Sequence, residues 1–494
     1  MKVVFVLLDS LNRNYLPIYG NDWVRAPNIT RLAEKGIVHD NHWLGSAPCM
    51  PARRDILTGR THFLERGWGS IEPCDRPFPR LLRKAGVRSH METDHYHYFH
   101  VGGENYHTQF DTYGYHRGQE NDPWQSRTNP PEEPEHYGMW SAQYAMNSEM
   151  FTSPGEYPTP KTFRGAIDWL KINEGGDDFV LWVEGFDPHE PFDCPKEYVD
   201  QYGDDWDGPL NNWTGYRETE GDERALQHLR NQYAGTVNLA DEYFGKLLDE
   251  LERQGIFDET LIVLTTDHGH LIGEHGVTGK GRWHVWNELG HLPLVVKLPG
   301  NQHAGERRSQ LTQNIDFMPT MMDYFGVPLD HAVHGESLRA VWEDNAPVSR
   351  TTAIYGWFGQ TVNITDGEYT YMRAAAAQDN QPLYQHIQVP TAYHFHNVPG
   401  PAIYRGAEFG KFLPWTDMPF SRTQVPMPRT EILKDTLLFN IVDDPGQTVN
   451  LAGTDIESKY EGLLVEAMRA IDSPDSQFER LGLEAASGLQ ATVA

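Results

Sequence analysis

With 494 residues, 70 acidic against 41 basic side chains, a formal charge of −29 at pH 7 and a pI near 5.1, the chain is poorly suited to nucleic acid, whose phosphates would be approached against a repulsive field. The same field disfavours long polyanions such as heavily sulfated glycans and makes a small ester the easier substrate, although acidity also serves solubility in a salty habitat. At 39% hydrophobic and 22% charged residues, with no apolar run of membrane-spanning length, the composition is globular and excludes a membrane partner, and the length predicts roughly two domains.

The chain opens on an apolar run, Val3 to Leu8, that stops at Asp9 with no small-residue cleavage site after it, so it reads as a buried first strand and not as a leader. Three scattered cysteines, Cys49, Cys74 and Cys194, are too few for a disulfide framework and fit a reducing, cytoplasmic compartment. Asn28 is placed to cap a short helix through Ile29, Leu32 and Ala33 that ends at Gly36. Residues 93–140, crowded with His, Tyr, Trp and Gly and without period, read as long loops. Phe163, Ala166, Ile167 and Leu170 repeat at helical spacing, as do Tyr233, Val237, Ala240, Phe244, Leu248 and Leu251. Phe179 to Val183, Leu261 to Leu264 and Leu292 to Val296 are further strand-like runs. Strands alternating with helices predict βαβ units and an α/β fold with a mostly parallel central sheet covered on both faces. From about Ser349 shorter strand-like pieces follow, including Tyr369 to Met372, then a last helix from Ile456 to Ile471 and a loosely held end from Ser473. This divides the chain into a catalytic domain, 1–350, and a smaller C-terminal α+β subdomain, 351–494.

Chemistry concentrates at a few places. Asp9 ends the first strand, where ligand sites of open α/β sheets lie. In Cys49-Met50-Pro51-Ala52-Arg53 the proline favours the first turn of a helix, so Cys49 is expected at a helix N-terminus with Arg53 one turn on, facing back. A cysteine there is expected to have a lowered pKa, and an oxyanion on that side chain would gain support. Asp267 and His268 follow the strand Leu261 to Leu264 and offer a hard oxygen and an imidazole for a divalent cation shared with Asp9.

The pattern C-x-P-x-R at Cys49 to Arg53, followed by Leu57-Thr58-Gly59-Arg60, resembles the signature of type I, arylsulfatase-like sulfatases of the alkaline phosphatase superfamily. Asp267-His268, Gly273-Glu274-His275-Gly276 with Gly279-Lys280-Gly281, Pro188-His189-Glu190-Pro191, Ile315 to Thr320 and Leu438 to Asn450 resemble further segments of that family. The resemblance implies an alkaline phosphatase-like fold and conversion of Cys49 to formylglycine by a maturation enzyme. It also implies a divalent cation held by Asp9, Cys49, Asp267 and His268, calcium first, with manganese or magnesium as alternatives. Cys49 becomes the nucleophile, Arg53 its support, Lys280 a sulfate-binding and charge-stabilising group, and His189 a substrate-binding general acid. Two departures stand out: Ser10 occupies the place of a common second acidic ligand, and Thr93-Asp94-His95-Tyr96-His97 stands where a Gly-Lys-Trp-His segment is usual, which makes His97 a substrate-binding candidate with His95 in place of the lysine. The expected activity is hydrolysis of small aryl or alkyl sulfates, with Tyr96 to Trp140 as a wall for a compact group. A phosphonate monoester or phosphodiester hydrolase on the same site is the alternative, a non-catalytic binding protein a more distant one, and homo-oligomerisation is compatible with all three.

Overall fold

The computed structural model describes residues 1–100, 103–219, 221–389, 406–425 and 433–483. The strand Lys2–Leu8 lies in the middle of a nine-stranded sheet, parallel to Phe179–Gly185 on one side and to Thr260–Thr265 on the other. Val4, Val6 and Leu8 enter one core and Val3, Phe5 and Leu7 the other, which is why this run is apolar without alternation. The first core packs the long helix Glu223–Arg253 with Pro158–Ile172 and Pro27–Lys35. The second packs Cys49–Thr58, Phe78–Lys84 and Phe317–Tyr324. The fold is α/β, with a large, mainly parallel sheet between two helical layers.

Four local expectations are corrected. The run Leu292 to Val296 lies in the strand His291–Lys297, which is antiparallel to Thr260–Thr265 and to Ile37–Trp43. Between it and Thr265 the chain carries only short pieces, the longest helix being Asn287–Gly290, and an antiparallel return needs no helical crossover. Asn28 lies inside its helix after Pro27; the capping oxygens come instead from Asp241 of the long helix, which accepts from the backbone N–H groups of Asn28 at 3.0 Å and Ile29 at 2.7 Å. Within 93–140, Thr112–Tyr115 pairs in parallel with Arg88–Thr93 at the sheet edge, where its half-exposed side chains leave no hydrophobic period to read. The end is ordered past Ser473: the helix Asp475–Leu481 buries Phe478 and Leu481, and only the part of that stretch after 483 lies outside the described residues.

A second sheet is built from Ala353–Trp357, Val362–Thr365, Tyr369–Arg373 and Leu437–Asn440, with the helix Glu457–Ala470 on one face. Its fifth strand is Ser46–Ala47, which pairs with Gly356 and Trp357. The segment leading into Cys49 is thereby clamped between the two sheets. No helix among the described residues is long and apolar enough to cross a membrane.

Candidate active site

Asp9, Glu184 and Asp267 stand at the carboxyl ends of three adjacent parallel strands, and the register pairs Leu7 with both Glu184 and Thr265. Arg53, on the helix Cys49–Thr58, reaches into all three: Nε donates to Glu184 Oε1 at 2.7 Å, Nη2 to Asp9 Oδ2 at 2.8 Å and Nη1 to Asp267 Oδ2 at 2.5 Å. Nη1 also donates to the Cys49 carbonyl, tying the helix start to the strand ends. All four charged groups are fully buried. Burial opposes ionisation of Asp9, but Arg53, then His189, His95 and Lys280, hold its carboxyl well below the usual range.

Cys49 is the first residue of its helix, as its proline predicts. Its expected low pKa is overturned: burial, and after it the Asp9 carboxylate, push the thiol well up. The helix end and two cations do not outweigh a dry site lined with carboxylates, so the thiol itself is a poor nucleophile here. Sγ lies 3.2 Å from His268 Nε2. His268 Nδ1 is directed to the Gly269 carbonyl at 2.8 Å, which leaves Nε2 as the lone-pair nitrogen, and burial keeps the ring neutral. One ligand atom each from Asp9, Cys49, Asp267 and His268 lie within 4.8 Å of one another, all buried. Among the described residues Asp9, Asp267, Glu184 and Glu190 pair with Arg53 and Lys280 as their permanent cations, so the formal balance of this group lacks two positive charges. Donor set and charge both fit a divalent cation at this point. Ser10, in a left-handed conformation with φ 62°, bridges the machinery: its hydroxyl donates to Asp9 Oδ1 at 2.8 Å and accepts from Lys280 Nζ at 3.1 Å.

Beside this cluster sits a second charged group. Lys280 Nζ is 3.6 Å from Glu190 Oε2 and 95% buried, and although burial opposes its charge, Glu190 raises its pKa above the ordinary lysine value. His189 Nδ1 lies 2.6 Å from the Glu190 carbonyl oxygen, which fixes it as the protonated nitrogen and leaves Nε2 as the lone-pair nitrogen. Burial, assisted by Lys280 and opposed by Glu190, lowers His189 to about 4, so the ring is neutral at pH 7 in the free protein and departs from the near-ordinary value expected of a general acid. Glu190 is pinned further by Tyr216, whose hydroxyl donates to Oε1, and by His270, whose Nδ1 is 3.6 Å from Oε2.

The rim comes from the expected loop region. His95 Nε2 is 3.5 Å from Asp9 Oδ2. His97 is one layer out, 3.5 Å from Glu120 Oε2 and edge-on to Trp68. Glu120, in a left-handed conformation with φ 44°, has its carboxyl pushed up to about 8 by burial and by the Glu190 charge.

A family model described as Sulfatase matches residues 2–327. The chain belongs to the sulfatase family. A second model, described as N-sulphoglucosamine sulphohydrolase, C-terminal, matches residues 273–398. An N-acetylglucosamine-6-O-sulfatase of Bacteroides thetaiotaomicron is 25% identical over 436 residues, covering 72% of this chain and 74% of its own. Among solved structures, a protein in complex with its substrate D-glucosamine-2-N,6-O-disulfate superposes with a TM-score of 0.67 at 18% identity, over 96% of this chain and 99% of the other. A phosphonate monoester hydrolase of Agrobacterium radiobacter does so with 0.66 at 18%, over 95% and 96%. Both structures share the fold of this chain.

Within this sulfatase the structure brings together Asp9, Cys49, Arg53, His189, Asp267, His268 and Lys280, and sets His97 at the rim. Sequence reasoning missed Glu184, Glu190, Glu120, Tyr216 and His270. Glu184 had a signal: a carboxylate in the otherwise apolar strand Phe179–Gly185 that must be paired to be buried, as Asp9 is. Glu120 and Tyr216 had none, since they reach the site from irregular segments.

Proposed function

We propose that this protein hydrolyses small aryl or alkyl sulfate esters with a nucleophile generated from Cys49. The observation that carries this reading is the meeting of Cys49, Asp9, Asp267 and His268 at one buried point beside Lys280 and His189. Asp9, Asp267 and His268, with the oxygen of a converted residue 49, would hold a divalent cation, which when bound would supply Lewis-acid stabilisation of negative charge, and a formylglycine hydrate at position 49 would offer the attacking oxygen. We assign the cation as calcium, with manganese the first alternative because of the imidazole donor, then magnesium.

The chain's own side chains do the remaining work. Arg53 holds Asp9 and Asp267 in fixed orientations, so the donors need no rearrangement. Lys280 offers N–H donors to the ester's anionic oxygens, and its tie to Ser10 sets its position relative to Asp9. His189 starts neutral; an anionic ester beside it adds negative charge and favours imidazolium, so Nε2 takes up a proton from solvent as the ester binds and passes it to the departing oxygen. The aromatic rim, with Tyr96 and Phe186 beside His97, gives a compact group a wall.

One observation favours a second reading, a phosphonate monoester or phosphodiester hydrolase: Ser10 presents a hydroxyl between Asp9 and Lys280 where a further carboxylate would add negative charge. The ratio of kcat/KM for an aryl sulfate and the matching aryl phosphonate monoester separates the two. The sulfate is expected to be preferred; a large preference for the phosphonate overturns the substrate assignment. Activity on a sulfated polysaccharide with none on small esters would overturn the size assignment.

A further inference from the structure

The C-terminal end of the Cys49–Thr58 helix opens on a cavity of about 450 Å³ that the proposed chemistry does not use. At ~1.5 Å per residue it lies about 15 Å along the helix from Cys49. For a protein of formal charge −29 its lining is unusually basic: Arg60, Arg76, Arg80, Lys84 and His331 surround it, with Trp415 on one side. The two acids in the lining are engaged elsewhere. Asp75 is held by Arg66 and by the backbone N–H of Glu72, and Asp417 pairs with Lys411.

Arg60 is the telling residue. It is 95% buried, and its guanidinium lies 4.3 Å from the centre of the Trp415 ring, whose Nε1 is fixed on Glu65 at 2.8 Å. Nη1 reaches the Ala332 carbonyl at 3.4 Å, while Nε and Nη2 are buried without a hydrogen-bond partner. Those two nitrogens form the side-on fork of the guanidinium, the edge that matches two oxygens of one oxyanion. Among the described residues no carboxylate lies within ion-pair distance of Arg60. His331 adds a second buried nitrogen without a partner, Nε2, while its Nδ1 is on Asp330. Among the described residues Arg80 and Lys84, one turn apart on the helix Phe78–Lys84, are likewise in no ion pair. Arg60 and His331 line the same cavity as Arg80 and Lys84, so buried donors left open at such cost stand with two cations about one space, a grouping suited to an anion.

We propose that this cavity is a second anion-binding site, separate from the ester-cleaving centre, that takes a sulfate or phosphate group on the Arg60 fork with Arg80 and Lys84 as counter-charges, the remaining volume holding a small organic moiety against Trp415 and Leu81. The site is independent of which ester the enzyme cleaves. Calorimetric titration with inorganic phosphate, inorganic sulfate and phenyl phosphate at low ionic strength tests it, using His189→Ala/Lys280→Ala protein so that the catalytic centre is disabled. Saturable binding is expected to persist in that protein, to be tighter for phenyl phosphate than for either inorganic ion, and to weaken at least tenfold on adding Arg60→Gln. Because Arg60 is buried, the surface pair Arg80→Gln/Lys84→Gln, which leaves the core intact, is the parallel arm and is expected to weaken binding severalfold. No saturable binding in the His189→Ala/Lys280→Ala protein, or binding that neither set of substitutions changes, overturns the proposal.

Discussion

The floor and the rim of the candidate site are built on opposite terms. On the floor, Asp9, Glu184 and Asp267 come from strand ends fixed by the sheet register, and one guanidinium, Arg53, bonds all three. On the rim, His95, His97 and Glu120 come from irregular segments, His95 stands 3.5 Å from Asp9 and His97 3.5 Å from Glu120, and both ring nitrogens of His95 and Glu120 Oε2 are without a hydrogen-bond partner among the described residues. Under the proposed function, the chemical step depends on donors that cannot move, whereas the choice of leaving group falls to polar atoms that still have capacity to bind.

The comparison breaks most visibly on the floor. Replacing Cys49 with Ala removes the proposed nucleophile and is expected to lower kcat/KM on the order of 10⁴-fold or more, with little change in thermal midpoint; retained turnover would shift the chemistry to another residue. Arg53→Gln leaves three buried carboxylates facing one another, and urea unfolding is expected to show a loss of about 3–5 kcal/mol, partly recovered by millimolar calcium, which supplies the missing positive charge. Equal loss with and without the cation would show that Asp9 and Asp267 do not share a metal.

The legibility of the two regions in the sequence follows the same line. Buried strands announce themselves as apolar runs, and a polar residue ending such a run is placed by the sheet alone, so Asp9 and Asp267 are legible from residue order. Cys49 and Arg53 are readable because a helix start fixes their relation over four residues. Glu190 and Tyr216 are not, because their meeting depends on how loops 26 residues apart fold over the sheet, which leaves no period in the sequence. Charge state escapes the sequence for the same reason: a low thiol pKa and an ordinary histidine pKa are local inferences, whereas burial among distant carboxylates and beside Lys280 decides both.

Smaller effects sharpen the comparison. His189→Gln is expected to cost roughly 10²–10⁴-fold on an alkyl sulfate and far less on an aryl sulfate with an acidic phenol, since only the poor leaving group needs the proton. Equal losses on both substrates would assign His189 to binding alone. Glu120 gives the mildest test. Its folded-state value of about 8 lies above the ordinary 4.5, so between these limits the folded protein binds the extra proton and stability falls as pH rises. Thermal midpoints of wild type and Glu120→Gln measured from pH 5 to 8 are therefore expected to diverge, the wild type losing ground toward pH 8. Parallel curves would mean that Glu120 is ionised throughout.

The most direct test is the mass of the tryptic peptide 36–53, which contains Cys49, recovered from active protein after maturation. The account predicts a peptide lighter than the encoded one by the change from thiol to aldehyde, in proportion to specific activity. An unmodified cysteine in fully active protein would contradict it.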